Sequence, residues 1–497
     1  MTMASLAYDQ CDKGFSSSYM LLKPEQVGLL DLIRILFYSD LEKREFVDCP
    51  KGTHEEESFR RRWIIFISIL AQKFLLFVSK PLAWLGSTIE HCLNLVSINQ
   101  NLFILLLNFF KGRVVKPEKT SANFLSFIGN LDKRIELDSS INHGDGRYYA
   151  ALSMMAAKAS YENVSYLRTT VQDHWKMELV GSYDYWNDYQ EKATTQAFIL
   201  FDKSTDEDHA TYVVAFRGTE PFDADAWCSD FDLSWYELSG IGKIHGGFMK
   251  ALGLQKNVGW PKEQEDNNDD NKRRPAELAY YAIRNILRER LGKNEKTKYI
   301  LTGHSLGGAL AILFPTILLL HNEKLLLERL EGVYTFGQPR VGDTKFGEYM
   351  EKELRNNEIW YYRFVYSNDM VPRLPYDDKD LMFKHFGTCL YYNRLYQGKV
   401  VEEEPNKNYF SPLGVIPMMI NAFFELIRSF TIVHKKGAAY KEGSLMRLFR
   451  IMGLVMPGVP AHCPQDYVNA TRLGPSDVFS PPPTVESGNP NQNAVLV

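Results

Sequence analysis

The run from Tyr299 to Leu320 constrains this chain more than any other stretch. A β-prone segment, Tyr299 to Thr302, leads into Gly303-His304-Ser305-Leu306-Gly307, and an apolar run of helical character continues from Leu306 to Leu320. Strand, sharp turn and helix in that order bring two backbones very close together, so only small residues are accommodated two positions before and two after the serine. Such a turn lifts the Ser305 hydroxyl clear of the sheet and leaves the amide of Leu306, at the helix N-terminus, facing any oxyanion formed by attack. A Gly-x-Ser-x-Gly pattern alone arises by chance in a chain of 497 residues. Its placement between a strand and a helix is what gives it meaning.

The neighbouring segments extend the same pattern. Thr211–Phe216, rich in β-branched and aromatic residues, reads as a buried strand running into Arg217-Gly218-Thr219. Gly332–Phe336 and Trp360–Tyr366 read as further strands, the second ending in Ser367-Asn368-Asp369. Helices are expected at 148–161 and 276–291. The rest of 117–200 is read as helical up to a first strand at 195–201. Strands alternating with helices imply an α/β fold, a mostly parallel central sheet covered by helices on both faces, with chemistry at the C-terminal strand ends.

A serine nucleophile needs a base, and the base needs an acid to set its tautomer. In α/β-hydrolases these follow in the order Ser, Asp, His. Asp369, followed by the rigid Met370-Val-Pro-Arg-Leu-Pro375, suits the acid; a strand-end aspartate is otherwise a common turn former. His385 and His462 both follow it, and side-chain chemistry leaves the choice between them open. His434, beside Lys435 and Lys436, reads as a solvated face, and His245 as a structural residue.

Net charge is −4 and apolar content 45%, which suits a globular protein and gives no support for nucleic-acid binding. The six cysteines are scattered with neither zinc-site nor disulfide spacing. Met1–Lys13 lacks the layout of a signal peptide, so a cytosol-facing protein is expected.

Residues 1–60 mix short apolar runs with charge, and 29–38 read as a helix. From 61 to 116 the chain turns apolar. Trp63–Val78, interrupted by Lys73, and Leu102–Phe110 lie between Arg60-Arg61-Arg62 and Lys111, Arg113 and Lys116. Neither run is a clean span of about 20 uncharged residues. Cations at both outer ends suit a hairpin or a pair of interfacial helices entering lipid from the cytosolic side, an oil droplet more readily than a bilayer. Buried helices packed on a catalytic domain are the plainer alternative. The segment 256–275 is read as a charged, solvated loop, 376–456 as an insertion, and the Pro/Asn-rich 474–497 as a disordered tail.

Together Gly303-His-Ser-Leu-Gly-Gly-Ala, Phe216-Arg-Gly-Thr219, Ile244-His-Gly-Gly-Phe248, Ser367-Asn-Asp369-Met-Val-Pro-Arg-Leu-Pro and Pro460-Ala-His462 resemble the class 3 lipases, the family of the filamentous-fungal triacylglycerol lipases. The apolar N-terminal region, the 376–456 segment and His462-Cys-Pro-Gln-Asp-Tyr are similar to the plant oil-body lipases. The resemblance implies a catalytic domain over 117–473 and a Ser305, Asp369, His462 triad. It implies an oxyanion site from Thr219 and Leu306, an elbow of Gly303, His304 and Gly307, and a lid over 220–235 carrying Trp227. It further implies hydrolysis of triacylglycerol or diacylglycerol at a lipid-droplet or endoplasmic reticulum surface, with no metal or cofactor. A phospholipase A1 or galactolipase is the neighbouring alternative, and a non-catalytic droplet scaffold a more distant one.

Overall fold

The computed structural model describes residues 16, 18–39, 41, 44–50, 58–187, 190–203, 210–254, 259–263, 277–375, 383–406, 409 and 412–479. In chain order the strands are β1 (Ser18–Leu22), β2 (Val47–Asp48), β3 (Glu178–Asn187), β4 (Lys192–Asp202), β5 (Thr211–Phe216), β6 (Trp235–Leu238), β7 (Gly242–His245), β8 (Lys298–His304), β9 (Leu330–Phe336), β10 (Trp360–Tyr366), β11 (Thr388–Tyr392) and β12 (Gly398–Val401). The helices that matter here are α1 (Leu29–Phe37), α2 (Phe59–Ile98), α3 (Leu102–Phe110), α4 (Tyr148–Ala159), α5 (Ala224–Phe231), α6 (Ala279–Leu291), α7 (Leu306–Leu320), α8 (Thr344–Asn356), α9 (Pro412–Lys436), α10 (Ser444–Met452) and α11 (Pro464–Leu473).

An eight-stranded sheet of order β12-β11-β10-β9-β8-β5-β4-β3 forms the centre. The pairs β5/β8, β8/β9, β9/β10 and β10/β11 are parallel, and the pairs at both edges are antiparallel. Alternate residues of each inner strand serve opposite faces. Tyr212, Val214 and Phe216 pack with α6 and α7, whereas Val213 and Ala215 pack with α4 and α11. Burial on both faces explains why these strands read as continuous apolar runs. The register sets Phe216 beside Gly303 and His304 beside Phe336. The chain segments that follow β5, β8, β9 and β10 therefore leave the sheet along one common edge.

Several sequence expectations need revision. The span 117–200 is not helical up to residue 195, because β3 lies within it and pairs with β4. Glu178–Asn187 is a half-buried edge strand containing a glycine and an aspartate, so it lacks the apolar run of an inner strand. The 376–456 segment is only partly an insertion, since β11 and β12 belong to the central sheet. In 256–275, Trp260 is buried against Tyr280 and Tyr281, while 255–258 and 264–276 lie outside the described residues. Of the tail, 474–479 is docked, with Phe479 against Phe364 at 6.0 Å between ring centroids; 480–497 falls outside the described residues.

The apolar N-terminal region folds as one 40-residue helix, α2, that continues through Pro81, followed by the nine-residue α3. At 1.5 Å per residue α2 is about 60 Å long. Lys73 does not break its apolar face, because the side chain turns inward and donates to the carbonyls of Pro24 and Val27. Arg62 near the start bonds the carbonyls of Ile35 and Leu36, and Asn94 near the end bonds Leu125. Helix α2 is long and apolar enough to cross a membrane, yet it is fastened to the rest of the protein at both ends. Phe74, Phe77 and Trp84 stand on its outer side, Phe77 at 83% exposure.

A second, four-stranded sheet of order β2-β1-β6-β7 joins the N-terminus to the middle of the chain. Strand β1 pairs with β6, the strand that follows α5, and the amide of Leu22 donates to Ser234 Oγ.

Candidate active site

Ser305 sits between β8 and α7 with φ 57° and ψ −131°, a left-handed conformation that L residues rarely adopt. The close crossing that imposes it is measurable at the flanking glycines. A Cβ on Gly303 would fall 2.1 Å from the carbonyl carbon of Gly307, and one on Gly307 would fall 2.2 Å from the carbonyl oxygen of Phe216. Both obstacles are backbone, so neither can yield. Leu306 is the first residue of α7, as the sequence pattern requires.

Three side chains converge from distant segments. His462 Nε2 lies 2.9 Å from Ser305 Oγ, and His462 Nδ1 lies 2.8 Å from Asp369 Oδ2. A carboxylate accepts, so Nδ1 carries the hydrogen and Nε2 presents its lone pair to the serine hydroxyl. Asp369, buried three residues beyond β10, takes a further hydrogen bond from the amide of Val371 at 2.9 Å. The guanidinium of Arg373 holds the carbonyls of Ser367 and Asp369, which makes the Pro-rich turn the rigid support expected of it. His385, the competing histidine, is absent from this cluster. Its Nε2 donates to the carbonyl of Pro372 at 2.6 Å, and burial beside Arg363 and Arg340 holds its pKa well below the usual histidine value. His245 is structural: Nε2 donates to the carbonyl of Asp232, Nδ1 caps the following helix at Phe248, and burial lowers its pKa to about 4.

His304 is tied to the backbone of His462. Its Nε2 donates to the backbone carbonyl of His462 at 2.8 Å, so Nδ1 is the acceptor for Tyr161 Oη–H, also at 2.8 Å. Burial and the neighbouring His462 keep this ring neutral, its pKa well below the ordinary value. Tyr467, on α11, donates to Asp369 Oδ2 at 2.5 Å while accepting from the amide of Tyr366. Gly337 has φ +58°, and a Cβ there would lie 2.8 Å from Asp369 Oδ2 and 3.0 Å from the His462 ring. Tyr161, Tyr467 and Gly337 were not singled out by sequence reasoning. Only Gly337, placed directly after a strand beside Gln338-Pro339, had a local signal that could have marked it.

Gly218 runs against Ser305, since a Cβ on it would meet Ser305 Cβ at 3.1 Å, and Thr219 is the next residue. Thr219 Oγ1 lies 3.5 Å from Asp230 Oδ2. Asp230 is fully buried, its Oδ1 without a hydrogen-bond partner, and burial pushes its carboxyl pKa up to about 8. It belongs to α5, which covers the site. The Trp227 ring of that helix lies 6.4 Å from the His462 ring, and its Nε1 donates to the carbonyl of Glu220.

Helix α5 is in turn held by α2. Ser68 Oγ donates to the carbonyl of Phe231 at 2.6 Å, Gln72 Nε2 donates to Ser68 Oγ at 3.1 Å, and Cys228 Sγ donates to the carbonyl of Gln72. Further along, Gly86 admits Phe222, whose Cβ lies 2.5 Å from where a residue-86 Cβ would be. An apolar groove of about 360 Å³ lies between the two helices, lined by Trp63, Ile67, Asp230, Phe231, Leu233 and Leu374.

Residues 213–379 match the family Lipase (class 3). The chain is 41% identical to the triacylglycerol lipase OBL1 of Arabidopsis thaliana over 93% of its own length and 96% of that protein. It is 36% identical to the OBL1 of Ricinus communis over 94% and 97% respectively. A lipase structure from Rhizopus microsporus var. chinensis overlaps 52% of this chain and 73% of its own at 22% identity, with a TM-score of 0.35, too loose a fit to bear on the assignment. Similarity along nearly the whole length of these relatives, over the site just described, shows that the chain belongs to the class 3 lipase family and is a carboxylic ester hydrolase of that family.

Proposed function

We propose that this protein is a triacylglycerol lipase acting at a lipid-droplet surface, with Ser305 as nucleophile, His462 as general base and acid, and Asp369 as the orienting carboxylate. The unbroken Oγ–Nε2 and Nδ1–Oδ2 contacts of 2.9 and 2.8 Å carry the catalytic reading. His462 Nε2 takes the proton of Ser305 Oγ as the oxygen bonds to the ester carbonyl carbon. Charge moves to the carbonyl oxygen, which the amides of Leu306 and Thr219 and the Thr219 hydroxyl receive. Collapse breaks the bond to the glycerol oxygen, and that oxygen leaves with the proton held on His462. Water then enters, gives a proton to His462 and attacks the acyl-enzyme. Release of the fatty acid returns the proton to Ser305.

Neutral lipid as substrate is supported by the identity of the relatives as triacylglycerol lipases, the apolar groove, and the outward Phe74, Phe77 and Trp84 of α2. In this reading residues 61–116 are the lipid-associating region, 117–473 the catalytic domain, and α5 with Trp227 the lid that opens when it meets lipid. Fatty-acid release from emulsified triolein, diolein and phosphatidylcholine tests the proposal, with the wild type beside Ser305→Ala and His462→Ala. Hydrolysis of the glycerides, lost in both variants, is the expected result. Activity confined to phosphatidylcholine would assign the protein to phospholipid instead, and a fully active His462→Ala would overturn the base.

A further inference from the structure

Helix α9 is amphipathic in the reverse sense for a protein surrounded by water. Its inner side carries Glu425, Arg428 and Ser429 between Met418, Ala422 and Ile432, all buried. Its outer side carries Ile416, Ile420, Phe423, Ile427 and Phe430, spaced by four and three residues and 67%, 52%, 51%, 43% and 52% exposed. A water-facing helix directs its charges outward and its apolar stripe inward. Here the inward charges are tightly paired. Arg428 bonds Asp466 at 2.8 Å, Glu425 accepts from Tyr366 Oη at 3.2 Å, and Arg450 of α10 bonds Glu442 at 2.6 Å and Asp466 at 3.0 Å. Burying ions costs several kcal/mol each before pairing offsets it, so water on the outer side gives no reason for this arrangement.

The same face continues beyond α9. Leu448 and Ile451 of α10, then Val455 and Met456, are exposed, Val455 at 82%. The inner side of α10 reaches the mouth of the site: Phe449 packs on Phe127 at 6.2 Å, and Phe127 packs on Phe222 of the lid segment at 5.0 Å. Ile89 and Leu93 of α2 join that cluster. Asn421 of α9 bonds Ser367 Oγ, two residues before Asp369. The site is thus bordered by α2, α9 and α10.

We propose that the outer face of α9 and α10 is a second lipid-embedding surface, which meets the same droplet as α2 and holds the Ser305 mouth flat against it. The proposal rests on the droplet reading given above. Its occupant is a lipid surface and not a second copy because of the cations on the rim. His434, Lys435 and Lys436 close α9, Arg394 lies 4.9 Å over the Phe424 ring, and Arg447 lies 4.5 Å over Phe430. Anionic headgroups match such a rim, with the long stems lying along apolar surface, whereas two copies face to face would bring like charges together. Gly414–Lys436 is long and apolar enough to cross a membrane, but its paired inner charges hold it against the catalytic domain.

The test uses the full chain and triolein droplets coated with a phosphatidylcholine monolayer. The variant Ile416→Glu/Ile420→Glu/Phe423→Glu/Ile427→Glu changes only exposed positions. It is expected to float with the droplets about tenfold less than the wild type and to lose triolein hydrolysis in parallel, while hydrolysis of dissolved p-nitrophenyl butyrate and Tm stay unchanged. Wild-type flotation by this variant would overturn the proposal. So would a change from dimer to monomer with flotation intact, which would assign the face to a second copy. Lys435→Glu/Lys436→Glu leaves the apolar stripe intact; it is expected to weaken binding to droplets doped with phosphatidylserine at low salt, and unchanged binding would overturn the rim argument. Flotation of the wild type without Ser305-dependent triolein hydrolysis would defeat the triacylglycerol reading and leave the second surface standing.

Discussion

The grip of α2 on α5 makes a single hydroxyl a test of how the site opens. Ser68 Oγ donates to the carbonyl of Phe231, the last residue of α5, and accepts from Gln72. Ser68→Ala removes both bonds and leaves the carbonyl of Phe231 without this buried donor, at a cost of about 1–3 kcal/mol to the closed arrangement. If opening separates α5 from α2, the open state loses nothing, and its population rises about tenfold for 1.4 kcal/mol. Specific activity on dissolved p-nitrophenyl butyrate should therefore rise about tenfold, while activity on emulsified triolein, where lipid would already open the proposed lid, stays within about twofold. The ratio of emulsified to dissolved activity is the quantity to measure. An unchanged ratio with a lowered Tm would refute the reasoning, because it would mean that α5 and α2 move as one body and the bond is kept in both states.

Two further outcomes follow from geometry and burial. Gly307→Ala drives a Cβ to within 2.2 Å of the Phe216 carbonyl, and backbone must move to relieve it; turnover on any ester should fall at least about a hundredfold with a lowered Tm, and a variant within about threefold of wild type would contradict the close crossing. Burial lowers the pKa of His245 to about 4 from an ordinary 6.5 and holds His304 and His385 well below that value, so the unfolded chain binds more protons than the folded one in mild acid. The histidine contribution to stability is then complete above about pH 6.5 and falls as pH drops toward 4, with His245 alone accounting for about 3 kcal/mol, while Asp230, its carboxyl raised to about 8 by burial, acts in the opposite sense over the same window; in Asp230→Asn, which removes that opposing contribution, a Tm independent of pH between about 4 and 6.5 would refute it.

The features legible in the sequence were those whose cause is local. Ser305, Gly303 and Gly307 are bound to one strand–turn–helix unit, and Asp369 to the end of an apolar strand followed by a Pro-rich turn. His462 was reached by resemblance, since it lies 93 residues from Asp369 and nothing around it states which side chains it meets. Tyr161 reaches His304 across 143 residues, and a buried tyrosine on a helical segment looks in sequence like any other core residue. Lys73 was read as a break in the apolar run because a linear pattern does not show that one lysine turns inward to the carbonyls of Pro24 and Val27. Strand β3 escaped because an edge strand buries too little to leave an apolar signature.

The pairing of β1 with β6 gives the N-terminus a standing that a detachable targeting tag does not have. Residues 18–22 supply a strand directly beneath the segment that carries the chain away from α5, and Leu22 is tied to Ser234. In the proposed reading, cutting the chain ahead of the catalytic domain would remove the lipid-associating helix and also the strand that pairs beside the proposed lid. A shortened protein that is both mislocalised and inactive on oil would therefore say nothing about which loss came first. For the same reason the N-terminal strand and the segment that follows α5 are a matched set: neither could be exchanged with that of a distant relative without its counterpart.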